Sequence, residues 1–168
     1  ASEMEKQRTR ARASWKGAAG AKIPTIYQSL LEKHPTVFEG YTGTEAEGCR
    51  ILEIVSDQKT VAQVEAKVAV EIILDRTSFY AESGGQVGDH GTLSNADGVI
   101  AHVKNVQAPL RGLSVHQAIT VGTVRVGDLV NCRVDLVRRD AICRNHTTTH
   151  LLHAALRSTL GSHVKQAG

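Results

Sequence analysis

The sequence predicts an α+β fold in which an antiparallel β unit, either a barrel or a small sandwich, is flanked by an N-terminal helical segment and a C-terminal helix. Three observations carry this expectation. From about residue 36 to residue 138 the chain consists of short β-type runs separated by turn residues, with no helical periodicity between them. The first twenty residues are dense in Glu, Lys, Arg, Gln and Ala, which favour a helix. From Arg138 onward, apolar residues and histidines recur at helical spacing.

Taken in order, residues 3–19 have a helical composition but a weak apolar stripe, with Trp15 the only large anchor. Gly17, Gly20 and Pro24 interrupt this segment, a shorter helix over 26–33 follows, and Pro35 ends it. Strands are expected over 49–55, 61–65, 69–75, 99–106, 113–120 and 129–137. The first stops at Ser56-Asp57, and Gly127-Asp128 marks a turn just before the last. Ile142, His146, Thr149, His150, His153, Leu156 and Leu160 then lie at helix spacing, with Gly161 a natural stop. The chain therefore divides into a helical segment over 1–35, a β unit over 36–138 and a helical segment over 139–168.

A chain of 168 residues can build one good core with a helical appendage. No apolar run approaches the roughly 18 residues of a membrane helix, and the charged N-terminus lacks a signal-peptide core. Cys49, Cys132 and Cys143 are odd in number and widely spaced. That argues against a disulfide scaffold and for a reducing compartment, hence a cytoplasmic location. The charge is uneven: residues 1–22 and 133–168 each carry +4, while 23–132 carry −5. Basic ends around an acidic centre suit a chain that meets a polyanion at particular places, although such blocks also occur as plain solvated surface.

The most informative motif is Asn145-His146-Thr147-Thr148-Thr149-His150-Leu151-Leu152-His153. Residues i and i+4 share a helix face, so His146 and His150 can grip one divalent metal. The spacing also occurs in helices that bind nothing. No glutamate stands between the pair, which disfavours a zinc-protease helix. Two ligands fall short of a complete zinc site. Cys143 shares the stripe with residues 146, 150 and 153, but adjacent turns of one straight helix converge poorly on a tetrahedron. Further ligands are expected from elsewhere.

The second motif runs from Arg76 to Gly91 and contains Gly84, Gly85, Gly88 and Gly91. Paired glycines let a ligand approach the backbone closely, and Gln86 offers both a donor and an acceptor. The spacing matches neither a Walker loop nor a dinucleotide loop. A tight connection between strands is the plainer alternative.

Together the two motifs resemble the editing region of alanyl-tRNA synthetases. The resemblance rests on segment 79–89 and segment 144–168, which includes Leu160-Gly161-Ser162-His163-Val164. Residues 5–15 are similar to the stretch that links the tRNA-recognition and editing regions of those enzymes. The resemblance implies a β-barrel over 36–138, a linker over 1–35, and over 139–168 the first helix of a truncated zinc-binding α/β core. It implies zinc held by His146 and His150, with a distant Cys and His absent from this chain. It also implies a pocket in which His163, Gln86 and Thr147 serve catalysis and Gly84, Gly85 and Gln86 contact substrate. ATP and Mg belong to an aminoacylation domain that this chain lacks. The implied partners are tRNA(Ala) and the rest of the synthetase chain, with a homodimer formed in the parent or through the truncated face.

The chemistry follows from a limit of recognition. An alanine pocket cannot exclude glycine, and it rejects serine by only about two to three orders of magnitude at best. Hydrolysis of Ser-tRNA(Ala) and Gly-tRNA(Ala) at a second site corrects both errors. Thr147–Thr149, Gln86 and the metal are the candidates for recognising the serine hydroxyl. By itself the chain is expected to bind zinc weakly and to hydrolyse little. The alternatives are a non-catalytic module that positions tRNA and a free-standing alanyl-tRNA editing protein. A metal-dependent enzyme acting on small molecules would need no tRNA. His34, His90, His102 and His116 read as surface or strand histidines, His153 as a supporting or core residue, and Glu82 and Asp89 as caps of the glycine loop.

Overall fold

A computed structural model describes residues 24–83, 86–161 and 163–165. The helix expected over 3–19, with Trp15, and the glycines Gly84 and Gly85 lie outside the described residues. Helix α1 (Thr25–Lys33) is followed by eleven strands: β1 (Val37–Phe38), β2 (Glu45–Ser56), β3 (Lys59–Val61), β4 (Gln63–Val64), β5 (Ala69–Leu74), β6 (Arg76–Thr77), β7 (Gly91–Asn95), β8 (Gly98–Leu110), β9 (Leu113–Thr120), β10 (Val124–Arg125) and β11 (Leu129–Val134). Helix α2 (Leu136–Leu160) closes the order.

Six strands form a closed antiparallel ring in the order β11-β7-β8-β9-β5-β2, with β2 pairing back to β11 and β3 extending β2. Of the two architectures open to the sequence, the chain adopts the barrel. The seam between β2 and β11 pairs Cys49 with Val130 and Cys132 with Ala46 across a register shift. Gly48, at φ +63°, sits in that shift and donates its N–H to Asn131 Oδ1 at 2.9 Å. The extra residue keeps both Ala46 and Cys49 facing inward. All three cysteines are free.

Strict alternation fails where both faces of a strand are covered. Ile72 and Leu74 face the barrel interior, while Ile73 joins Leu30, Val55, Leu113 and Val115 in a second cluster beneath α1. Tyr27 of α1 donates its hydroxyl to Glu71 at 2.8 Å, and burial together with that carboxylate pushes its phenol up to about 12. The β2–β3 hairpin turns through Asp57 and Gln58, both at positive φ, as a two-residue hairpin loop requires.

The structure departs from the sequence expectations in three places. The expected strand over 61–65 divides between β3 and β4. The last strand stops at Val134 rather than 137, because Asp135 caps a helix by accepting the Arg138 amide at 3.1 Å. Leu136 and Val137, apolar enough to read as strand, are exposed in its first turn. Strands β1, β6 and β10, of two residues each, are too short to signal themselves; within β7 Leu93 alone is buried, and the two neighbours β8 and β11 hold that strand in the sheet.

His116 is a strand histidine but not a surface one. It is fully buried in the barrel interior, where its Nδ1 meets the Ile72 carbonyl at 2.9 Å and its Nε2 meets Thr77 Oγ1 at 2.8 Å. A carbonyl only accepts, so Nδ1 carries the proton and Nε2 accepts from the threonine. Phe79 stacks edge-on against the ring at 5.6 Å. Burial lowers the imidazole from 6.5 to about 4, so it is neutral in the folded protein. Because the folded value lies below the unfolded one, its stabilising contribution is complete above about pH 6.5 and is lost as pH falls toward 4. The loss amounts to about 3 kcal/mol. Urea unfolding of the wild type should therefore weaken by about that much more between pH 7 and pH 4 than unfolding of His116→Gln; parallel pH profiles would contradict the assignment.

Candidate functional site

The site is assembled where the first turns of α2 pass the glycine-containing excursion between β6 and β7. Tyr80 and Asp89 close the base of that excursion: the Asp89 amide donates to the Tyr80 carbonyl at 3.0 Å, and the Tyr80 amide donates to Asp89 Oδ2 at 2.6 Å. Ser83 and Gln86 exchange both backbone hydrogen bonds, at 3.1 and 2.9 Å, across positions 84–85. Gly88 is required by contact, since a Cβ there would stand 2.5 Å from the Val106 carbonyl and from Asn105 Oδ1. Glu82 is anchored through its backbone to the Val106 carbonyl at 2.7 Å, with an exposed side chain.

Asp89 does more than cap. Its buried carboxylate pairs with Arg139 of α2, whose guanidinium also donates to the Ser78 carbonyl at 2.8 Å and the Gly40 carbonyl at 3.4 Å. One arginine thus joins the helix, the excursion and the loop after β1. Sequence reasoning missed Arg139. A signal was present in the Arg138-Arg139 doublet, because the first turn of a helix carries partial positive charge and disfavours cations unless they are engaged elsewhere.

Beyond Arg139 a cleft of about 410 Å3 is lined by Phe38, Tyr41, Tyr80, Gln86, Ile142, Cys143, His146 and Thr147 among others. Gln86, His146 and Thr147 are therefore brought to one cavity. His150 stands one turn further on, its Nε2 3.1 Å from that of His146, with ring centroids 4.5 Å apart. The two imidazoles converge. Thr148 and Thr149 return their hydroxyls to the Arg144 and Asn145 carbonyls at 2.8 and 2.9 Å. Among the described residues Thr147 makes no such bond, so its hydroxyl is free to face the cleft.

The remaining candidates lie apart. His163 stands exposed against Gly161, beyond the end of α2, and does not line the cleft. His153 is half-buried, with Nε2 3.4 Å from the Val164 carbonyl. His34 sits 3.4 Å from Glu53, and His102 is exposed on β8. Cys143 lines the cleft, but among the described residues no three His, Cys, Asp or Glu side chains are grouped to hold a metal. A larger apolar groove of about 520 Å3 runs beside α1, past Tyr27 and Ile119. Tyr27, Asp57, Glu71 and Lys104 border it, whereas Gln86, His146 and Thr147 line the smaller cleft.

Residues 1–138 match the tRNA synthetases class II (A) family. The chain is 50% identical over 167 residues to an alanine–tRNA ligase of Solibacter usitatus, covering 99% of this chain. It is 46% identical over 171 residues to that of Alkaliphilus oremlandii, again over 99% of this chain, and 44% identical over 167 residues to that of Sphingopyxis alaskensis, over 98%. In each case the match takes in 19% of the relative, so the chain spans about a fifth of the length of the curated relatives it matches.

Removing the Asp89 charge would leave the Arg139 guanidinium, only 15% exposed, without its counter-ion. Asp89→Asn is expected to cost about 2–4 kcal/mol in urea unfolding and to speed amide exchange in the first turn of α2. Unchanged stability and exchange would show that the pair does not hold the helix.

Proposed function

Since this chain belongs to the class II (A) tRNA synthetase family, we propose that it is part of the editing region of an alanine–tRNA ligase, which in the intact enzyme hydrolyses the ester of Ser-tRNA(Ala) and Gly-tRNA(Ala). The observation that carries this reading is the convergence of His146 and His150, Nε2 to Nε2 at 3.1 Å, next to the cleft that holds Gln86 and Thr147. At 3.1 Å the two rings can share an N–H···N hydrogen bond when no metal is present, and a metal would take both lone pairs in its place.

The donor set fits zinc as half a site. Ligand nitrogens at about 2.0–2.1 Å in a tetrahedral centre stand about 3.3 Å apart, close to the separation seen here. His146 and His150 would hold the metal, with the other ligands supplied from outside this chain. Bound there, zinc supplies Lewis acidity to an ester carbonyl or to water. Weak, two-ligand binding and little hydrolysis are accordingly expected of the isolated chain.

This chain's own residues would do the recognition. Gln86 presents an amide donor and acceptor from a turn fixed at both ends. The Thr147 hydroxyl, not committed to its own helix, can bond a serine side chain that alanine lacks. A site built around such a bond discriminates far better than an apolar pocket, because the wrong substrate leaves a polar group unpaired. Phe38, Tyr41 and Tyr80 supply flat apolar walls against which a terminal adenine can stack.

In a full-length ligase carrying this segment, His146→Ala with His150→Ala should lower Ser-tRNA(Ala) deacylation on the order of 100-fold or more while tRNA affinity stays unchanged. Weakened tRNA binding with intact deacylation would favour the non-catalytic positioning module instead. Thr147→Val should narrow the preference for Ser-tRNA(Ala) over Ala-tRNA(Ala) by roughly tenfold or more. An unaltered ratio would remove the threonine from recognition.

A further inference from the structure

The seam that closes the barrel holds two thiols that the cleft does not use. Cys49 of β2 and Cys132 of β11 both face the barrel core, at 0% and 1% exposure. In a regular antiparallel ladder they would stand apart, because Cys49 is opposite Val130 and Cys132 lies two residues further along β11, opposite Ala46. The register shift between these two pairs removes that separation. It sets residues 46–49 of β2 against the shorter stretch 130–132 of β11, and the two sulfurs come to 3.7 Å.

Their hydrogen bonds run in one direction. The Cys132 S–H donates to the Cys49 sulfur, and the Cys49 S–H donates to the Ala46 carbonyl at 3.6 Å. The first of these bonds holds the Cys49 thiol below its ordinary value and pushes that of Cys132 up, so Cys49 is the sulfur that ionises. The ladder is also interrupted here. The Gly48 amide bonds the Asn131 side chain and not a strand carbonyl, and a seam held that way opens locally at lower cost than the regular strands on either side.

We propose that Cys49 and Cys132 are an oxidation site, a dithiol that hydrogen peroxide closes into a reversible disulfide across the seam between β2 and β11. Peroxide is small enough to enter through a local opening. The Cys49 thiolate attacks one peroxide oxygen; the O–O bond breaks, a sulfenic acid forms, and hydroxide leaves to take up the proton that Cys49 released. The Cys132 thiol then attacks the sulfenic sulfur; the S–O bond breaks and water departs with the Cys132 proton. Two thiols and one peroxide become one disulfide and two waters, each sulfur losing one electron and each peroxide oxygen gaining one. Rotation about a cysteine χ1 displaces its sulfur by more than the distance still separating this pair from a bond of about 2.05 Å. The product joins positions 83 residues apart, which restricts the unfolded chain and staples the last strand pair of the ring. This site is independent of the editing reading.

The test begins with alkylation of the exposed Cys143 in the folded chain, followed by hydrogen peroxide. After unfolding, Cys49 and Cys132 should resist a second alkylating reagent and appear by mass spectrometry as one cross-linked peptide pair, released by dithiothreitol. The cross-linked chain should unfold at a urea concentration higher by about 1 M or more, a shift that dithiothreitol reverses. Cys49→Ala and Cys132→Ala should each abolish both effects. Should either variant fail to fold, the wild-type peptide map and urea midpoint still decide. Thiols that both remain open to alkylation would overturn the proposal, as would sulfinic or sulfonic acid without a cross-link. So would a cross-link that forms only when peroxide is added in urea, or one that leaves the urea midpoint where it was.

Discussion

The ion pair between Asp89 and Arg139 sets the geometry on which the site depends. A barrel fixes its own strands through the closed ladder, but α2 buries none of its residues and gains nothing from the core. What ties it to the barrel is its first turn. Asp89 can act as the anchor because it is itself immobilised, accepting from the Tyr80 amide and donating its own to the Tyr80 carbonyl. The pair is largely desolvated and further bonded to the Ser78 and Gly40 carbonyls, the condition under which a buried ion pair repays its desolvation. Because the same carboxylate closes the base of the glycine excursion, Gln86 and the histidine helix share one support.

The barrel contributes to that support from within. Thr77 donates to His116 and accepts from the Phe79 amide at 3.1 Å, so the chain leaves β6 already fixed in direction. Phe79 then enters the core against the His116 ring, and Ser78 offers its carbonyl outward to Arg139. A neutral, fully satisfied histidine in the core is compatible with this arrangement; a charged one would have to desolvate a cation beside Phe79. The excursion is thus held at its root by an uncharged hydrogen-bond chain inside the barrel and by an ion pair outside it.

Much of this was legible in the residues. Strands with a covered face and a clear apolar pattern, such as 113–120, coincide with β9, and the i, i+4 histidines do lie on one continuous helix with converging rings. What escaped was set by long-range pairing. β7 has a sequence, Gly91-Thr92-Leu93-Ser94-Asn95, that no propensity would make a strand, and it is one because β8 and β11 flank it. Ile72, Ile73 and Leu74 cannot announce which face α1 will cover. Asp89, fifty positions from Arg139, gives no hint of that partner in sequence. Of the three threonines, only the hydrogen bonds of Thr148 and Thr149 to their own helix single out Thr147.

Among the described residues this 25-residue helix is fastened at one end only, as a cantilever is. At about 1.5 Å per residue the arm extends roughly 30 Å beyond Arg139, so a tilt of about 10° at the root carries Leu160 through roughly 5 Å. His146 and Thr147, within about 12 Å of the pivot, sweep less than half that distance. Residues near the fulcrum thereby keep their alignment with Gln86 while the distal leucines travel. Leverage at the tip and registration at the hinge come from the same arm.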